Sequence, residues 1–497
     1  MSIVLKNAWK SYDSQTVLER VNFILNVGDK IAVIGENGMG KSTLLKLLSG
    51  EEDLTLGERY VDDRAMVAVV SQDFPTHYLE RGTTVREFIS EQGGQSLFRR
   101  VDKILREFCF PERLMDTRLS MLSGGQQKIV DLSVAFGLQT GVLLLDEPEN
   151  HIDIFARQVL ISLIRNHRGA IAFVSHDQDL INSTTNKIVE VENHSLWSYT
   201  GGYEFYLAEK KRQEEGRERA WKTHERKVEQ LDRLIKRMHQ WVKLNPDLGA
   251  QLSSRKTQLE RIKANAPSRP RSKKLITLSI KNSDRVTGKR MFLVDGLRLE
   301  RGGTYLLWDV SLSLFYGQKV ALVGRNGSGK TSFIKALMGD VPFQGTIRVG
   351  DSVSLGYFSQ DTADILDLKE TPLEALEKIT SGEQHVLRAL LAKYLIGAEH
   401  CNRPIGKLSG GQKTRLRFCL LFAHKYELLI LDEPTNHLDP VTWDIVAGAI
   451  TEYQGAVLLV SHDRVFVDST VKQLWVIDNR QIALYHGTLG EYLLEES

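Results

Sequence analysis

Gly35-Glu-Asn-Gly-Met-Gly-Lys-Ser42 recurs 289 residues later as Gly324-Arg-Asn-Gly-Ser-Gly-Lys-Thr331. Both runs fit the pattern G-x-x-x-x-G-K-[ST]. Its glycines let backbone N–H groups curl around phosphate oxygens, and the helix that follows presents its positive amino-terminal end. The flanking residues supply that context. Lys30-Ile-Ala-Val-Ile34 and Lys319-Val-Ala-Leu-Val323 read as strands, while Leu44, Leu45, Leu47, Leu48 and Phe333, Ile334, Leu337 mark apolar helix faces. In this pattern Lys41 and Lys330 neutralise the β- and γ-phosphates, and Ser42 and Thr331 offer hydroxyls to Mg2+.

Working outward, the duplication extends across the chain. Leu122-Ser-Gly-Gly-Gln126 recurs as Leu408-Ser-Gly-Gly-Gln412, Asp146-Glu-Pro as Asp432-Glu-Pro, and Ser175-His-Asp as Ser461-His-Asp, each 286 residues on. Val142 to Leu145 and Leu428 to Leu431 are continuous apolar runs of the kind that lie buried on both faces of a parallel sheet. The expected fold is α/β: two copies of one domain, residues 1–205 and 286–497, joined by a helical linker at 206–285.

The acidic pairs carry the chemistry. Asp146 and Asp432 end buried strands and can hold Mg2+ through its water shell. Glu147 and Glu433 follow at once, placed to orient or deprotonate an attacking water. His176 and His462 end the next strand, where a neutral imidazole can meet the γ-phosphate region. Gln72 and Gln360, each after a β-rich run, are candidates for the metal and the attacking water.

The linker has a different texture. Glu204 to Trp241 contains no proline and only Gly216, and Val228, Leu231, Ile235, Met238 and Val242 alternate spacings of three and four, the seam of a coiled-coil hairpin. Asn245 to Gly249 reads as its turn and Ala250 to Asn265 as its return helix, with Leu252, Leu259 and Ile262 facing back. Residues 209–274 carry 20 Lys and Arg against nine Asp and Glu, a net of +11, which leaves 45 basic and 54 acidic residues (−9) for the rest. A basic insert in an acidic protein points to a polyanionic partner.

Composition excludes other classes. With 42% hydrophobic and 26% charged residues the chain is globular rather than disordered. No apolar stretch approaches the roughly 18 residues of a membrane span, and Met-Ser-Ile-Val-Leu-Lys at the start lacks the core of a secretory signal. Cys109, Cys401 and Cys419 are too scattered for a disulfide framework or zinc site, so a reducing cytoplasm is expected.

In order and spacing these motifs resemble the ATP-binding-cassette ATPases over nearly the whole of both copies. The resemblance implies two Mg-ATP sandwiched between the cassettes. One would be held by Tyr12, Gly35, Asn37, Gly38, Gly40, Lys41, Ser42, Thr43 and Gln72, the other by Gly324, Asn326, Gly327, Gly329, Lys330, Thr331, Ser332 and Gln360. Ser123, Gly125 and Gln126 would complete the site built on Lys330, and Ser409, Gly411 and Gln412 the one on Lys41. Metal contacts would come from Ser42, Gln72 and Asp146, and from Thr331, Gln360 and Asp432.

Within that family the chain is similar to the ABC-F proteins, factors that act on the ribosome. Pro434-Thr-Asn-His-Leu-Asp439 matches their extended motif closely, and Pro148-Glu-Asn-His-Ile-Asp153 departs at Glu149 and Ile152. Both centres look intact, and the basic insert resembles the linker that enters the tRNA exit site and approaches the peptidyl-transferase centre. The implied partners are ribosomal RNA and tRNA, with no membrane or permease, in a monomer whose cassettes pair internally. A tandem also fits the ATP-binding subunit of a membrane importer, which stands as the alternative. A DNA-repair or defence ATPase would bring zinc ligands or a much longer coiled coil. Tyr12 matches the aromatic that stacks on adenine, whereas Arg301 is aligned with it in the second copy, beside Tyr305. The compact first cassette and the lack of a terminal extension resemble shorter members, several of which protect ribosomes from antibiotics.

Overall fold

The computed structural model describes residues 2–12, 15–35, 38–62, 65–242, 249–264, 288–359, 366–380, 382–424, 426–435, 438 and 440–495. In the first cassette, β1 (Ser2–Tyr12) and β2 (Gln15–Asn26) form an antiparallel hairpin, and β3 (Lys30–Ile34) feeds α1 (Lys41–Ser49). β4 (Leu56–Val61) returns to pair with β1. β5 (Val67–Val70) leads into a helical region of α2 (Thr76–Glu80), α3 (Val85–Glu107) and α4 (Gly124–Gly137). α3 breaks inside, at Gly93 and Gly94, where Gly94 takes φ 66°. The chain then alternates β6 (Val142–Asp146), α5 (Ile154–Asn166), β7 (Ala170–Val174), α6 (Gln178–Thr184), β8 (Lys187–Glu192) and β9 (Ser195–Thr200).

α7 (Tyr203–Val242) and α8 (Gly249–Ala264) form a separate compact unit, Gly201–Leu275. Ile235, Met238, Leu252 and Leu259 are buried against one another, with Val228 and Leu231 packed alongside, six of the eight apolar positions expected from the spacing; residues 243–248 of the expected turn lie outside the described residues. His224 adds a side-chain contact to the Ile262 carbonyl at 2.9 Å.

The second cassette repeats the first: β10 (Arg290–Arg301), β11 (Thr304–Phe315), β12 (Lys319–Gly324), α9 (Lys330–Met338), β13 (Gln344–Val349) and β14 (Leu355–Phe358). α10 (Pro372–Glu377), α11 (Gln384–Lys393), α12 (Ala398–Cys401) and α13 (Gly410–Ala423) follow. The chain closes with β15 (Leu428–Asp432), α14 (Pro440–Glu452), β16 (Ala456–Val460), α15 (Arg464–Thr470), β17 (Gln473–Asp478), β18 (Gln481–His486) and α16 (Leu489–Glu495).

Among the described residues each cassette holds a six-stranded sheet in the same order, β5-β6-β7-β3-β8-β9 and β14-β15-β16-β12-β17-β18. Only the edge pairs β8/β9 and β17/β18 run antiparallel. The central strands β3, β6, β7, β15 and β16 bury every apolar position, as parallel strands covered on both faces must. This order brings the carboxyl ends of β3, β6 and β7 to one edge of the sheet, and likewise β12, β15 and β16, so residues remote in sequence meet there. The two cassettes belong to one compact unit, Met1–Thr200 with Ile276–Ser497.

Candidate active site

Each phosphate loop leaves its strand and turns into a helix through a left-handed glycine, Gly40 (φ 94°) and Gly329 (φ 108°). Gly35, Gly38 and Gly40 line the first turn and Gly324, Gly327 and Gly329 the second, with Thr43 and Ser332 on the first helical turns. Asn37 lies outside the described residues. Lys41 Nζ donates to the Gly35 carbonyl at 2.9 Å, and Lys330 Nζ to those of Gly324 (2.8 Å) and Arg325 (3.2 Å). Both lysines are buried, and desolvation lowers the Lys330 pKa against the opposing pull of Glu433, Asp153 and Asp432. An anion in the loop would restore the charged form.

Asp146 and Asp432 end β6 and β15. Burial raises the Asp146 carboxyl, while a hydrogen bond with Ser42 works the other way. Its Oδ1 is buried with no hydrogen-bond partner. That orphaned oxygen beside a hydroxyl is a donor set that Mg2+ and its water shell would complete, so the residues fit the metal. No cluster of three or more His, Cys, Asp or Glu that could hold a metal ion occurs among the described residues. Thr331 lies in the first turn of α9 and is exposed. Gln72, in the loop after β5, is exposed too, and Gln360 lies outside the described residues.

Glu147 and Glu433 both adopt left-handed backbone, φ 44° and 50°. Such a conformation costs a non-glycine residue about 1 kcal/mol or more and recurs where function demands a particular aim. It lets each N–H continue the sheet ladder, to Val174 O (3.0 Å) and Val460 O (2.8 Å), while the side chain leaves the strand direction. Asn150 Nδ2 donates to Glu147 Oε2. Desolvation pushes Glu433 up to about 7, against Lys330 and Arg157. His462 Nε2 stands 3.4 Å from Glu433 Oε1. Burial, then Lys330 and Arg157, hold that imidazole well below its ordinary pKa, so it is neutral. His176 occupies the matching place after β7.

Ser123 and Ser409 are helix caps. Each hydroxyl accepts the N–H of Gln126 or Gln412 at 3.3 Å, and each glutamine Oε1 accepts the serine N–H, at 3.0 and 2.9 Å. The Leu-Ser-Gly-Gly-Gln runs are therefore capping boxes that aim a helix amino terminus, and the glutamine oxygens are committed to the cap. Gly411 sits in the first turn of α13.

The first cassette's signature approaches the second cassette's phosphate loop. A Cβ at Gly125 would stand 2.3 Å from the His151 carbonyl and 3.0 Å from Asn326 Nδ2, so only glycine fits. Asn326 Nδ2 donates to His151 O at 2.8 Å, and the Asn326 N–H to Asp153 Oδ2 at 2.7 Å. The Arg325 guanidinium lies 5.1 Å from the Phe155 ring centroid, and Arg464 Nη1 is 3.6 Å from Asp179 Oδ1. At the reciprocal corner residues 37, 437 and 439 lie outside the described residues.

Tyr12 ends β1, 43% exposed, with Lys10 Nζ 4.9 Å from its ring centroid and its hydroxyl on Glu52. Arg301 pairs with Thr304 in the equivalent hairpin. Nearby, Tyr305 meets Trp308 edge to face at 4.6 Å, and Arg298 lies over the indole at 4.3 Å.

Sequence reasoning missed three residues here. Lys128 Nζ joins the Ser71, Gln72 and Asp146 carbonyls (2.8, 3.5 and 3.1 Å), tying the ends of β5 and β6. Glu149, a departure from the extended motif, is buried and accepts from the Ser175 hydroxyl (2.6 Å) and the His176 N–H (3.2 Å). Arg157, also buried, pairs with Asp177. The legible signal was periodicity: Arg157 shares the buried face of α5 with Ile154, Leu160 and Ile161.

A family model described as ABC transporter matches residues 18–150 and 307–436, and a second of the same description matches 189–277. The chain is 29% identical over 543 residues to the ATP-binding protein Uup of Escherichia coli (strain K12), covering 99% of this chain and 83% of that protein. It is 27% identical over 499 residues to the ribosome protection protein VmlR of Bacillus subtilis (strain 168), covering 97% and 87%. Among solved structures it is similar to the complex of archaeal ribosomal stalk protein aP1 with the archaeal ribosome recycling factor aABCE1. The TM-score there is 0.67 at 19% identity, over 98% of this chain and 92% of that one, a likeness of fold.

Proposed function

Since this chain belongs to the ABC transporter family, in its ABC-F branch, and is an ATPase of that family, we propose that it binds the ribosome in an ATP-closed state and leaves on hydrolysis. Two Mg-ATP would bridge the cassettes within one monomer. At the second centre Lys330 and Thr331 would hold phosphate and metal with Asp432. Glu433 would orient the attacking water and neutral His462 would meet the γ-phosphate. Gly125 and the helix start at Ser123 would cap the nucleotide from the first cassette. Lys41, Ser42, Asp146, Glu147 and His176 would do the same at the first centre, with Ser409 and Gly411 opposite. The ribosome-protection name of one relative supports a role in translation or antibiotic protection.

The observation that carries the ribosomal reading is the hairpin. Over α7, Glu209, Glu215, Glu218, Glu229 and Asp232 pair with basic side chains one turn along. Five of the insert's nine acidic groups are thus paired within the helix, and the net excess of +11 remains for an outside polyanion. α7 has 40 residues, and at 1.5 Å per residue it spans roughly 60 Å, long enough to carry its turn deep into an RNA groove. Entry into the tRNA exit site, toward the peptidyl-transferase centre, fits that shape. The test is affinity for ribosomes against salt. Neutralising several phosphates makes log affinity fall linearly and steeply with log salt; a flat dependence would refute RNA contact by the hairpin.

A further inference from the structure

The two catalytic corners differ at a linked pair of positions. After Asp-Glu-Pro the first cassette has Glu149 and the second Thr435; in the helix that follows, Arg157 stands where the second has Trp443. Arg157 and Trp443 serve one aspartate, the residue after the histidine, and Glu149 and Thr435 serve the serine before it. Asp177 Oδ1 accepts the Leu180 N–H at 2.9 Å while Oδ2 holds the Arg157 guanidinium. Asp463 Oδ1 accepts the Phe466 N–H at 3.0 Å while Oδ2 accepts the Trp443 indole N–H at 2.7 Å. The serine two residues earlier is equally divided. Ser175 donates to Glu149 and accepts the Asp177 N–H at 3.0 Å; Ser461 shares a 2.9 Å bond with the Thr435 hydroxyl and accepts the Asp463 N–H at 3.1 Å.

Formal charge exposes the logic. Glu149 and Asp177 with Arg157 sum to −1, and so does Asp463 with neutral Thr435 and Trp443. Exchanging Thr for Glu and Trp for Arg is therefore balanced only when both change. Losing Arg157 alone would leave Glu149 and Asp177 as two buried carboxylates with no cation between them, whereas losing Glu149 alone would leave the Arg157–Asp177 pair intact and take the acceptor from the Ser175 hydroxyl and the His176 N–H. Two atoms of this cluster, Glu149 Oε2 and Arg157 Nε, are buried with no hydrogen-bond partner, and they belong to opposite charges.

We propose that Glu149 and Arg157 work as one positioning pair of the first catalytic centre, the carboxylate fixing the Ser175–His176 strand end and the guanidinium anchoring Asp177 and offsetting both carboxylates, so that Arg157 is not replaceable while Glu149 stays. The pair also makes the centres unequal. The Arg157 charge acts on Asp463 and Glu433 across the cassette interface, whereas the residue in its place in the second cassette is an uncharged tryptophan.

The inference rests on the ATPase reading of the first centre. The test compares Glu149→Thr, Arg157→Trp and the double variant, all with Glu433→Gln to silence the second centre, at pH 8. Each single change should lower kcat roughly tenfold with little effect on KM, and the double should recover to within about threefold of its parent. Melting of the nucleotide-free protein reads the same pair without catalysis. Each single should lower Tm by roughly 5 °C or more, and the double by less than the worse single. Glu149→Gln guards against misfolding, since it keeps an acceptor for Ser175 and the His176 N–H and removes only charge. On this background Arg157→Trp should cost far less kcat than it does beside the wild-type Glu149. Losses that multiply in kcat and add in Tm would overturn the pair. A wild-type protein without ATPase activity would instead sink the catalytic reading, while the melting cycle still decides the pair.

Discussion

Oδ2 of Asp153 accepts the backbone N–H of Asn326 at 2.7 Å, while Oδ1 of the same side chain caps α5 at the Ala156 N–H, 2.9 Å away. One carboxylate thus starts a helix in the first cassette and grips the phosphate loop of the second. A nucleotide that orders the loop around Lys330 is felt directly by the segment from Glu147 to Asp153, which carries the first centre's glutamate. The contact runs through backbone N–H and carboxylate, so it transmits position rather than mere proximity.

Replacing Asp153 separates its two roles. Asp153→Ser retains a capping oxygen but lacks the second oxygen and the reach; Asp153→Ala loses both. With the first centre silenced by Glu147→Gln, both variants should lower ATP turnover several-fold. Only the alanine should also lose the cap, worth about 1 kcal/mol in thermal or chemical unfolding. If Asp153→Ser turned over like its parent, the grip on Asn326 would be irrelevant to the second centre.

Glu147→Gln with Glu433→Gln should keep ATP binding, because the phosphate loops and the Asp146 and Asp432 carboxylates are untouched. Turnover should fall by roughly 10²–10⁴-fold, the usual contribution of a group that orients or deprotonates water. Steady-state hydrolysis equal to wild type would remove both glutamates from the mechanism.

Much of this was legible beforehand. The duplicated phosphate loops and apolar strand runs dictated two α/β cassettes, and the three-four spacing in the linker predicted the packing of Ile235 and Met238 on Leu252 and Leu259. The helix caps at Ser123 and Ser409, which tie up the glutamine oxygens, come from the structure. What stayed hidden was tertiary. Lys128 acts on carbonyls up to 57 residues away, and Glu149 and Arg157 make sense only beside Asp177. Single-residue chemistry reads each of them as an oddity, because a buried charge is explained by the partner the fold brings to it.

Glu149 makes stability depend on pH. Desolvation first, then the Asp177 charge, push its carboxyl up to about 7, against Ser175 and Arg157, from 4.5 in the unfolded chain. The backbone N–H of His176 also faces it, and Lys128 lies within its electrostatic reach. The folded state therefore holds a proton that the unfolded chain releases. That stabilisation is complete below about pH 4.5 and is lost as pH rises toward 7. Glu149→Gln has no such loss, so its stability relative to wild type should climb by up to about 3 kcal/mol across this span. Urea unfolding from pH 4.5 to 7 measures it, and a pH-independent difference would show that Glu149 ionises as an ordinary carboxylate.

Base recognition should be unequal. Tyr12 offers an exposed ring braced by Lys10 and Glu52, whereas Arg301 is a side chain in a tight hairpin turn beside Tyr305. Tyr12→Ala should weaken the preference for ATP over GTP more than Arg301→Ala does, measured by nucleotide competition. Equal effects would mean that Arg301 stacks on the base as well as Tyr12 does.

Ribosome binding is tested most directly by sedimenting the ATP-trapped Glu147→Gln/Glu433→Gln protein with purified ribosomes and, separately, with membrane vesicles. The protein should pellet with ribosomes, added salt should release it steeply, and deleting residues 225–262 should abolish pelleting while nucleotide binding persists. Pelleting that survives the deletion, or recovery in the membrane fraction instead, would contradict the ribosomal role of the basic hairpin and favour an importer subunit.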